Sequence, residues 1–68
     1  MDRDDLIRRL RKRGRREGVA VDWDTARGKG SHGTLHYGTR RAVVPQGELK
    51  TGTLRAILRQ LGLDPEDI

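Results

Sequence analysis

The chain has no cysteine and no phenylalanine, and it carries one tryptophan, one tyrosine and one methionine. Without thiols, disulfide scaffolds, cysteine-based zinc sites and thiol nucleophiles are all excluded, and a reducing compartment such as the cytoplasm is the expected location. No apolar run approaches the roughly 18 residues of a membrane span, so no membrane partner is expected. The charged opening Met1-Asp2-Arg3-Asp4-Asp5 does not read as a signal peptide. Apolar residues make up only 32% of the 68. At this length the sequence reads as a single domain over residues 1–68, hiding about 60% of the surface its unfolded form exposes. A core this thin supplies roughly 3–5 kcal/mol, so a stabilising partner would suit it.

What the chain does have is positive charge. Fifteen Lys and Arg stand against ten Asp and Glu, for a net charge of +5. Twelve of the fifteen are Arg, whose planar fork suits phosphate better than the Lys ammonium does. Residues 27–59 hold Arg27, Lys29, Arg40, Arg41, Lys50, Arg55 and Arg59 with Glu48 as the one acid, while other acids gather toward the two ends. A basic middle on a short domain fits nucleic-acid contact, and composition alone fits a solvated surface equally well.

The order of elements follows from periodicity. Asp2, Asp4 and Asp5 suit a helix start by capping and dipole, Leu6, Ile7 and Leu10 form a narrow apolar stripe, and Gly14 is the expected stop. Val19, Val21 and Trp23 alternate with polar residues as in a half-buried strand facing the core. After a Gly-rich basic loop, a second strand is expected over about 31–37, with Leu35 and Tyr37 on one face and His32, Thr34 and His36 on the other. Gly38-Thr39 reads as a two-residue hairpin turn. The third strand runs from Arg40 to Val44, its inward face open between Ala42 with Val44 and Val43. Leu54, Ile57, Leu58 and Leu61 then repeat at helical spacing, with Thr51 or Thr53 as cap and Gly62-Leu63 as a Schellman stop. Asp64-Pro65 opens one more turn. The expectation is an α+β fold in the order α-β-β-β-α, a three-stranded antiparallel sheet with both helices on one face.

Two glycine motifs are discarded on context. Gly28-Lys-Gly30-Ser-His-Gly33 matches the dinucleotide fingerprint, but strand rather than helix follows it. A Walker loop fails because Gly30 stands where Ser or Thr must follow Gly-Lys. What remains is a cationic loop, Arg27-Gly-Lys29-Gly-Ser31-His32, that delivers a histidine to a strand start. Imidazole titrates near neutral pH and suits proton transfer. With nearby cations, one histidine is enough in principle for RNA cleavage without a metal or other cofactor: a base takes the ribose 2′-OH proton and that oxygen attacks the adjacent phosphorus. His36 lies roughly 13 Å along the strand at about 3.3 Å per residue, too far to share a proton or metal ion with His32, and two histidines without a carboxylate make a poor zinc site.

Gly28-Lys-Gly30-Ser-His32-Gly, then Arg40-Arg41-Ala-Val-Val-Pro45, then the run from Glu48 through Lys50-Thr-Gly52 to Gly62 together resemble the HicA toxin family. The resemblance covers about residues 4–68. It implies a fold similar to the double-stranded-RNA-binding domain, an mRNA endonuclease that blocks translation, and a cognate HicB antitoxin that masks the active site. Carried over by motif, His32 is the catalytic histidine. The pattern breaks at Gly33, where many members have a second histidine, and at the short Gly38-Thr39 turn. Lys29 is the first choice for phosphate binding, and Lys50 places a cation beside helix N–H groups. Arg27 and Arg55 follow. The expected function is thus an endoribonuclease toxin with mRNA as substrate. The alternative is a non-catalytic double-stranded-RNA-binding module. A DNA-binding regulator is disfavoured, because the last helix has few base-reading side chains, and no stable DNA binding is expected.

Overall fold

The computed structural model describes residues 1–24 and 32–67, with His32 and Asp67 described by their backbone alone. Asp2 caps the first helix, α1 (Arg3–Glu17), its carboxylate accepting from the Asp5 N–H at 2.9 Å. Asp4 and Asp5 in the first turn and Arg15 and Arg16 in the last complement the helix dipole. Leu6, Leu10 and Gly14 form its buried stripe, and Ile7 packs beside them.

Gly14 is not the stop expected of it. The helix continues to Glu17 and ends at Gly18, whose φ of 72° is the left-handed cap. Gly14 instead lies where the chain returns over the helix. A Cβ there would stand 2.5 Å from Val21 Cγ2 and 2.6 Å from the Val19 carbonyl oxygen. It is a close-approach glycine.

Three antiparallel strands follow in sequence order: β1 (Val21–Asp24), β2 (His32–Tyr37) and β3 (Arg40–Pro45). Val19, Val21 and Trp23 are partly buried against the core, as the alternation predicts. In β2, Leu35 and Tyr37 are buried. Gly38 takes a φ of 63° in the two-residue turn that pairs Tyr37 with Arg40. The register settles the inward face of β3, since Ala42 and Val44 are buried and Val43 is 58% exposed.

The second helix, α2 (Thr51–Gln60), buries Ile57 and Leu58, and Leu61 closes its last turn in the core. Neither threonine caps it. The helix already includes Thr51 and Thr53, and Lys50, at the cap position, makes no side-chain cap bond because its ammonium has no acceptor. The stop is the expected Schellman motif: Gly62, at φ 76°, donates to Arg59 and Leu63 donates to Leu58. Asp64 then accepts from Glu66 at the head of a single 3-10 turn, Pro65–Asp67.

Leu6 and Leu10 of α1, Leu35 and Tyr37 of β2, Val44 of β3, and Leu58 of α2 belong to one core cluster. Both helices therefore cover the same face of the sheet. The opening of the chain is tied to the β3–α2 connection, with Arg3 N–H donating to Gly47 at 3.1 Å and Leu49 N–H to Met1 at 2.9 Å.

Candidate functional site

His32 is the first residue of β2, and its Cα lies opposite that of Pro45, the last residue of β3. Because β1 and β2 are antiparallel, the connection over residues 25–31 joins the strands at this same end of the sheet. The chain leaves Pro45 through residues 46–50 and enters α2. One end of the sheet thus gathers the start of β2, the end of β3 and the connection to α2. Arg27, Lys29 and the side chain of His32 lie outside the described residues.

Lys50 and Arg55 are both exposed, Lys50 at the cap of α2 and Arg55 within it. Neither makes an ion pair or side-chain hydrogen bond among the described residues. Nothing ties them to each other.

The residue after His32 is the most constrained at this end. Gly33 is buried, and a Cβ on it would come within 2.5 Å and 2.6 Å of Cζ2 and Cη2 of Trp23 and 3.0 Å from the Asp24 carbonyl oxygen. The indole therefore sits against the backbone of β2. Arg3 lies over the same ring, its guanidinium carbon 5.0 Å from the ring centroid. Arg3, Trp23 and Gly33 tie the start of α1, the end of β1 and the start of β2 together. Trp23 serves the core here, as its place in the alternation predicts.

His36 is four residues further along β2, its Cα paired with those of Asp22 and Arg41. It is half-buried in an open depression of about 500 Å³ with Asp24, Thr34, Arg41 and Val43. Among the described residues no three His, Asp or Glu side chains are grouped to hold a metal ion. Behind the sheet, the Tyr37 hydroxyl donates to Glu17 at 2.9 Å, and Glu17 also pairs with Arg13 at 3.2 Å. Burial, then the hydrogen bond to Glu17 and its negative charge, raise the Tyr37 pKa above its ordinary value.

The densest run of positive charge lies away from this end of the sheet. Residues 8–16 contain seven Lys and Arg and no acid. They lie in α1, where Arg8, Arg11, Lys12 and Arg15 line an open groove of about 630 Å³ together with Ile7 and Trp23. A block of like charge on a helix reads by default as a solvated face; what the expected stop at Gly14 leaves out is Arg15 and Arg16, which the continuing helix adds to it.

The order of elements is α-β-β-β-α, as the resemblance implies. The family model described as "HicA toxin of bacterial toxin-antitoxin" matches residues 3–63. The chain belongs to the HicA toxin family, and that membership implies a cognate antitoxin as partner. No curated protein and no solved structure matches it. No helix among the described residues is long and apolar enough to cross a membrane.

Proposed function

We propose that this protein is a metal-independent endoribonuclease that cleaves mRNA, with His32 as its general acid/base. Family membership over residues 3–63 is the observation that carries the reading. The backbone placement of His32 at the mouth of β2, where the basic 25–31 connection enters the sheet, agrees with it.

The chemistry needs few groups. His32 takes the proton from a ribose 2′-OH, the 2′ oxygen attacks the adjacent phosphorus, and the bond to the 5′ oxygen breaks. The 5′ oxygen leaves with a proton drawn from solvent, to which His32 releases the one it took, giving a 2′,3′-cyclic phosphate on one fragment and a 5′-hydroxyl on the other. Arg27, Lys29 and Lys50 are the cations proposed to bind the scissile phosphate and its developing charge, with Arg55 further along the bound strand. The antitoxin inhibits by covering this end of the sheet. It also stabilises the toxin, since a ligand that binds only the folded state raises the melting temperature by mass action.

The test is incubation with labelled RNA and its 2′-deoxy analogue in EDTA, with His32→Ala alongside. Cleavage of RNA alone, lost in a folded His32→Ala protein, is the expected result. Retardation of RNA without shortening would leave a binding module and end the nuclease reading.

A further inference from the structure

The groove beside α1 belongs to neither the core nor the strand-start site. Arg8, Arg11, Lys12 and Arg15 follow one another at i, i+3, i+4 and i+7 along a single helix face, about 10 Å at 1.5 Å per residue. All four are exposed. Arg8 pairs with Asp5, but Arg11, Lys12 and Arg15 have no acidic partner among the described residues. Three unpaired cations within about one turn repel one another, and Asp4 is the one acid along the groove.

We propose that this groove is a second contact for the RNA backbone, binding phosphates that flank the cleaved bond. The proposal rests on RNA being the substrate. Position favours RNA over an acidic protein segment: Trp23 lines the groove and abuts Gly33, the residue after His32. A strand lying along α1 therefore runs toward the start of β2. Contacts made by Arg and Lys to phosphate carry no sequence information, so the groove adds affinity and register without restricting which RNA is cut.

The experiment measures binding of an uncleavable 2′-O-methyl oligoribonucleotide by fluorescence anisotropy across a salt series. The intact protein is compared with Arg11→Ala/Lys12→Ala/Arg15→Ala. These positions are exposed and helical, where alanine is the best helix former, and far-UV circular dichroism checks the fold. Losing three phosphate contacts lowers the slope of log affinity against log salt by about 2 and weakens binding roughly tenfold or more. The charge-conserving pair Arg11→Lys/Arg15→Lys keeps the slope.

An unchanged slope and affinity in the folded triple variant would overturn the proposal. So would loss of binding to poly-glutamate with RNA binding intact, which would assign the groove to an acidic protein. Should the triple variant not fold, each single replacement lowers the slope by about 0.7 on its own, and no change in any of them overturns the proposal equally. RNA that is bound through α1 but never cut would end the nuclease reading while leaving this one standing.

Discussion

Replacing Gly33 by alanine isolates the contact that joins the core to the proposed site. The added methyl would lie 2.5 Å from Cζ2 of Trp23, 2.6 Å from Cη2 and 3.0 Å from the Asp24 carbonyl oxygen. Carbon atoms pack at about 3.5–4.0 Å, so the ring or the strand has to move by about 1 Å. Arg3 lies over the ring, and the third contact is backbone that cannot rotate away. Overpacking of this kind costs about 1–3 kcal/mol. In a domain whose core supplies roughly 3–5 kcal/mol, that is a large share. With about 4–8 °C lost per kcal/mol at this size, Gly33→Ala melts well below the parent. Trp23→Leu removes the obstructing ring, so the Gly33→Ala/Trp23→Leu protein is more stable than the two single losses summed, by about 1–2 kcal/mol. Urea unfolding followed by far-UV circular dichroism reads all four proteins without relying on indole fluorescence. A Gly33→Ala loss within about 0.5 kcal/mol, or strict additivity in the cycle, would refute the reasoning.

Other substitutions test the frame. Gly14→Ala normally stabilises a helix interior by about 1 kcal/mol; here the methyl meets Val21 and the Val19 carbonyl, so urea unfolding is expected to show a loss of about 1–3 kcal/mol. Gly62→Ala forces a left-handed φ of 76° on a residue with a Cβ, which would also stand 2.7 Å from the Arg40 Nε; a drop of about 1 kcal/mol or more is expected by the same assay. Tyr37→Phe removes the hydrogen bond to Glu17 and costs about 0.5–1.5 kcal/mol. Because the folded Tyr37 pKa is raised, the native state holds its proton longer than the unfolded state. The stability tied to it is intact below the unfolded value near 10 and falls as pH rises through the folded one. That alkaline component, measured by urea unfolding over a pH series, should vanish in Tyr37→Phe.

The parts of the fold legible in the sequence were those fixed by neighbours along the chain. The α2 stripe, the Gly62-Leu63 stop and the Gly38-Thr39 turn all depend on residues within one or two turns, and each stands as expected. Gly14 was misread because a stop glycine and a close-approach glycine look alike until the returning strand is in place. The inward face of β3 was undecidable for a related reason: Ala42, Val43 and Val44 are all apolar, and only pairing with β2 selects two of them. The missing side-chain cap on α2 turns on a one-residue shift of the helix start. His32 stands at the strand start where the sequence places it, whereas the groove along α1 also needs Arg15, past Gly14 on the same helix, and Trp23 packed beside it from β1.

Trp23 is where stability and the proposed chemistry meet. The one tryptophan in a chain poor in aromatics packs against the core, lines the α1 groove and abuts the residue after His32. A change at Trp23 or Gly33 therefore alters folding, the proposed RNA contact and the placement of His32 together. Lys50, Arg55, Arg11 and Arg15 are exposed and unpaired among the described residues. Their removal leaves the core intact, so a change in binding or cleavage at those positions reports on the proposed RNA contacts rather than on folding. The chemical roles are to be separated on the surface cations, and the Trp23–Gly33 contact is to be read as stability first.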